Sequence, residues 1–162
     1  SVKEYIDENL RTYYYAVNGL YVQMTSFSKT GDDKTKPSMF YLRVFNRRNS
    51  SVEFTKANIS ARSTDGKNKK KPNFKFDNKI SSVLETMSID AGWNWSKIFF
   101  DRPELWLKDK IIESDEYISG YFILGNPKNW DFIDVELDNK IYSFPISSKY
   151  CNSSMDYFNI AR

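Results

Sequence analysis

The sequence predicts an all-β fold, an antiparallel β-sandwich of about seven to nine strands with one short helix. Three observations carry this. Apolar residues alternate with period two in several short segments, turn-forming residues recur between them, and no strand–helix alternation of the kind that builds a parallel sheet is present. The chain has 162 residues, of which 40% are hydrophobic and 17% aromatic. That is enough for one domain burying roughly two-thirds of its unfolded surface. No apolar run reaches the roughly 18 residues that a membrane-spanning helix requires.

The elements follow in order. Val2, Tyr5, Ile6 and Leu10 have loose helical spacing, so residues 1–17 are expected to form a lead-in of one or two helical turns, or the end of a linker, ahead of a sandwich domain over 18–162. Asn18-Gly19 is a turn signal. Leu20, Val22 and Met24 then share one face, with Tyr21 and Gln23 on the other. After the polar loop 29–38, Phe40, Leu42 and Val44 alternate with Tyr41, Arg43 and Phe45; both faces are partly apolar, as in a central strand. Val52 and Phe54 have one phase, and Ala57, Ile59 and Ala61 the other, which predicts a bulge or a bend where the chain changes sheets. Residues 63–66 read as a turn.

Ile80, Val83, Leu84 and Met87 lie at i, i+3, i+4 and i+7 and predict the short helix. Residues 91–100 read as a strand or an extended crossing, and 104–112 as an apolar segment with a register slip toward Ile111. A strand over 117–124 and a turn over 125–129 follow. Residues 132–146 are the clearest hairpin: Ile133, Val135 and Leu137 run out, Asp138-Asn139-Lys140 turns, and Tyr142, Phe144 and Ile146 return. The Ser-rich tail, 147–162, reads as a last strand or a frayed end.

Charge and composition narrow the chemistry. Net charge is +3, too small to favour nucleic acid, but it is unevenly spread: residues 1–80 carry 16 Lys/Arg and 8 Asp/Glu, residues 81–162 carry 8 and 13. There is no histidine, which removes Ser-His-Asp and Cys-His nucleophilic systems and the commonest zinc ligand. A single cysteine, Cys151, allows neither an intrachain disulfide nor a thiolate cluster. No glycine-rich phosphate loop is present, and no cofactor is implied. Acids cluster at Glu113, Asp115 and Glu116 and at Asp131, Asp134 and Glu136; both groups read as solvated surface. No catalytic residue is nominated.

Two binding candidates remain. Lys67, Lys69, Lys70, Lys71 and Lys75 fall within eleven residues, with Phe74 and Phe76 interleaved. They form either a solvated, protruding loop or a dock for an anionic partner. Trp93 and Trp95 are spaced to share a strand face, and Trp106 could extend the pair into a platform for sugar rings. The competing reading places these indoles in the core.

The segments NGLYVQMTSF, FYLRVFNRRNSSVEF, ISARSTDGK, SGYFIL and FIDVELDNKIYSFPI, in that order over roughly residues 18–146, resemble the immunoglobulin-like accessory domains of bacterial lipoproteins and secreted proteins, a group that includes the mycobacterial immunoprotective antigen fold. The resemblance rests on the Asn46–Ser51 turn, the Asp65-Gly66 turn and Gly120 before an apolar strand; the aromatic segment 88–112 and the lysine run depart from it. It implies an immunoglobulin-like sandwich, secreted or lipid-anchored through a signal absent from this sequence. The group is usually of unassigned function; the expected role here is a non-enzymatic module that binds a protein or cell-envelope component, with glycan binding through the aromatic platform as the alternative. The resemblance brings no catalytic residues.

Overall fold

The computed structural model describes residues 3–7, 10–26, 38–75, 102–125 and 129–146. It is an all-β sandwich of antiparallel sheets. The described residues form eleven strands: β1 (Lys3–Asp7), β2 (Leu10–Val17), β3 (Leu20–Ser26), β4 (Ser38–Asn46), β5 (Val52–Phe54), β6 (Ile59–Arg62), β7 (Lys69–Lys70), β8 (Lys110–Ile112), β9 (Tyr117–Leu124), β10 (Phe132–Leu137) and β11 (Lys140–Pro145). One sheet has the order β1-β2-β3-β4-β9, the second β11-β10-β6-β7, and β5 pairs β8 in a small third sheet.

The chain's start differs from the sequence reading. Lys3–Asp7 and Leu10–Val17 are strands, not helical turns, and Asn18-Gly19 lies inside the sheet as the β2–β3 hairpin. The governing pattern is the Tyr13/Tyr15 alternation: both rings enter the core, 3% and 1% exposed. The expected helix over 80–87, the segment 91–100 and the tail lie outside the described residues. The strand count exceeds the expected seven to nine because β1, β2 and the two-residue β7 add to it.

Period-two alternation sets the core. Val22, Leu42, Val44 and Phe122 from the five-stranded sheet meet Ile59, Ile133, Val135 and Phe144 from the four-stranded sheet, all at 1% exposure or less. Each such side chain contributes about 1.5–3 kcal/mol by leaving water. Phe40 stacks on Phe122 with centroids 5.4 Å apart. Tyr15 crosses between the sheets: its ring meets Phe144 edge-on at 5.2 Å, and its hydroxyl donates to the Ser143 carbonyl at 2.6 Å. The phase change between Val52 and Ala61 is a change of sheet: β5 ends at Phe54, a 3-10 turn spans Lys56–Asn58, and β6 joins the other sheet. Around 110 the inward residue is Ile112, buried, while Ile111 is 57% exposed.

The ends of the sandwich are pinned by polar contacts. Asn18 and Gly19, and Asp138 and Asn139, take positive φ in two-residue hairpin turns. Arg48 bridges them, donating from Nε to the Asn18 carbonyl at 2.6 Å and pairing its guanidinium with the Asp138 carboxylate. Buried Asn46 donates to the Ser50 and Ile112 carbonyls and accepts from the Arg48 N–H.

Candidate functional site

With Leu20, Val22 and Met24 turned inward, the alternate positions of the five-stranded sheet face away from the core. Register sets them in three rows. Tyr117, Phe45, Tyr21 and Ala16 form the first; Ser119, Arg43, Gln23 and Tyr14 the second; Tyr121, Tyr41, Thr25 and Thr12 the third. Tyr14 and Tyr21 lie 5.1 Å apart at 30°, and Tyr41 and Tyr121 4.8 Å apart at 56°. Arg43 is exposed and sits over the Tyr117 ring at 4.6 Å; Arg47 lies over Phe45 at 5.7 Å. Tyr117 is 50% exposed. Beyond the third row the outward residues Met39 and Ile123 are buried, so the open surface is the tyrosine–arginine end.

Three phenols, Tyr21, Tyr121 and Tyr142, hold their protons more firmly than a free tyrosine. Burial raises the Tyr21 pKa above its ordinary value and Tyr14 adds to the rise, against a lowering by Arg43. Burial, then Tyr41, raises Tyr121, and burial raises Tyr142 in the core. A phenol with a raised folded pKa contributes stability that is complete below the unfolded value of about 10 and is lost as pH rises through the folded value. Urea midpoints should therefore be flat across mild alkali and fall above pH of about 10, in step with phenolate absorbance. A midpoint that rises there would contradict these environments.

Sequence reasoning missed this surface. The Tyr21/Gln23 and Tyr41/Arg43/Phe45 phases are visible in the sequence, but apolar residues on both faces of a strand read equally as a strand covered on both sides.

The lysine run spans a hairpin turn, a short strand and the segment after it. Residues 63–68 form a tight hairpin in which the Ser63 N–H donates to the Asn68 carbonyl at 3.1 Å and the Lys67 N–H to Asp65 Oδ1 at 3.0 Å. Lys69 and Lys70 form β7, which lies at one end of the four-stranded sheet order and pairs with Arg62 and Ala61 of β6. Lysines on an edge strand oppose pairing with another chain. Lys71 Nζ donates to the Ala57 carbonyl, and Lys70 lies half-buried beside Gly125. Lys67, Lys69, Lys71 and Lys75 are exposed. Phe74 turns inward against Phe122 at 5.8 Å.

Trp106 is 6% exposed and offers no indole face to a ligand, because its segment runs along β9 through a bridge to Tyr121. Trp93 and Trp95 lie outside the described residues. Among the acids, Asp134 is not solvated. It is 8% exposed, accepts from Arg62 Nε at 2.6 Å and from the Ser143 hydroxyl at 2.6 Å, and Arg62 lies over Phe132. Glu136 is exposed and, with Glu53, Thr55, Asn58, Asp138 and Asn139, lines a hollow of about 280 Å³. No group of potential metal ligands occurs among the described residues, and no described helix is long and apolar enough to cross a membrane.

Fold and surface together define the class: an antiparallel sandwich with an aromatic, cationic outer sheet face. No family model, curated protein or solved structure matches the chain.

Proposed function

We propose that this chain is a non-enzymatic interaction module, extracytoplasmic as its sequence resemblance implies, that binds a protein or cell-envelope component. The observation that supports it best is the set of outward Tyr14, Tyr21, Phe45 and Tyr117 around exposed Arg43, none of which belongs to the core cluster. Tyrosine and arginine supply large contact area with polar ends, and they are enriched where proteins bind partners. A second reading, a carbohydrate-binding module with an aromatic platform, draws support from the same rings. In that reading the platform is tyrosine rather than the Trp93, Trp95 and Trp106 set.

The test is retention on immobilised acidic glycan, neutral glycan, heparin and poly-L-glutamate. Wild type is compared with Tyr14→Thr/Tyr21→Thr and with Lys67→Ser/Lys69→Ser/Lys75→Ser. At least one support should lose the tyrosine variant and keep the lysine variant. Retention lost only with the lysines would move the binding surface to the β7 edge and end this reading.

A further inference from the structure

Resting on that reading, we infer that the tyrosine–arginine face takes an acidic polysaccharide, its sugar rings lying on the tyrosines and a carboxylate on Arg43. Three observations carry this. First, the hydroxyls of Tyr14, Tyr21, Tyr41 and Tyr117 make no hydrogen bond among the described residues, and neither does the Arg43 guanidinium. A surface of phenols that can both donate and accept suits a ligand that is itself covered with hydroxyls. Second, acids are spread unevenly over these strands. The outward positions of β2, β3, β4 and β9 described above carry Arg43 and no Asp or Glu, whereas Glu53, Glu136 and Asp138 gather around the hollow beside β5 and β10. Arg43 is thus an exposed cation without a counter-ion among the described residues, lying over the Tyr117 ring. Its fork of donors matches a carboxylate.

Third, the topology disfavours other occupants. β3 and β4 are hydrogen-bonded on both sides, so this face cannot capture a peptide main chain as an added strand. A nucleic acid would call for several phosphate contacts, and the face presents Arg43 at its centre with Arg47 at its margin. Aromatic rings flanked by Gln23 and Ser119 fit the apolar C–H faces and hydroxyl edges of sugar rings instead.

The experiment titrates the protein with a galacturonic acid oligomer by calorimetry, with dextran as neutral sugar and poly-L-glutamate as acidic polypeptide. Arg43→Gln, Tyr21→Thr and the triple lysine variant are measured alongside. The oligomer should bind, Arg43→Gln and Tyr21→Thr should each weaken it at least about tenfold, and the lysine variant should leave it unchanged. Arg43 is exposed and makes no ion pair or hydrogen bond among the described residues, so Arg43→Gln costs the fold only its contact with the Tyr117 ring and is informative even if Tyr21→Thr fails to fold. Failure of the oligomer to bind, or dextran binding as well as the oligomer, overturns the inference. Tighter binding of poly-L-glutamate that Arg43→Gln abolishes also overturns it, while leaving the face as the binding surface. Oligomer binding that only the lysine variant removes overturns both the inference and the reading of the face.

Discussion

Gly120→Ala is expected to destabilise the domain by about 3 kcal/mol, lowering Tm by roughly 10 °C. The cause is space. Gly120 sits in β9 opposite Leu42, on the face turned toward the core. A Cβ there would lie 2.5 Å from the Leu107 backbone N and Cα and 2.9 Å from the Trp106 carbonyl carbon. These are main-chain atoms and cannot swing aside as a side chain could. The segment must lift, breaking the Leu107 N–H to Tyr121 carbonyl bond at 3.1 Å and withdrawing Leu107, 1% exposed, from the core. Gly66→Ala is the control. Its φ of +73° strains any other residue, but nothing lies within 4 Å of a Cβ there, so a cost of about 1 kcal/mol is expected. Thermal melts of both variants check the pair; equal losses would contradict the close packing assigned to Gly120.

Asp134→Ala is expected to cost about 3 kcal/mol, because it strands Arg62. The two side chains are 12% and 16% exposed, and the carboxylate accepts from both Arg62 and Ser143. Removing the acid leaves a largely buried cation and an unpaired Ser143 hydroxyl. Arg62→Met/Asp134→Leu should recover most of the loss, since replacing both charges removes the unpaired group. Urea midpoints check Asp134→Ala, and those of Asp134→Leu, Arg62→Met and the double variant close the cycle. A double variant as unstable as the sum of the singles would mean that the pair is not coupled.

Much of the fold was legible because one physical rule generated it. In β3, β4, β9, β10 and β11 a single period-two phase goes inward, and the sequence shows that phase directly. The change of sheet between β5 and β6 was legible for the same reason: Val52 and Ile59 cannot share a phase without a break. What failed were readings that depend on tertiary partners. Tyr5, Ile6 and Leu10 have helical spacing, but β2 pairs with β3, and that pairing wins over local pattern. Asp134 looks solvated in an alternating strand until Arg62, 72 residues away, is brought beside it. Within the lysine run, the pairing of Lys69 and Lys70 with β6 has no local signature in the sequence. The tyrosine–arginine face was half visible: the residues were in phase, but whether that phase is covered is decided by the rest of the chain.

The most direct measurement of the proposed working surface is amide NMR of the labelled domain during titration with the galacturonic acid oligomer. The account predicts perturbations centred on Tyr14, Tyr21, Gln23, Arg43 and Tyr117, with the 63–71 hairpin unchanged. Perturbations confined to that hairpin, or to the hollow lined by Glu53 and Glu136, would contradict it.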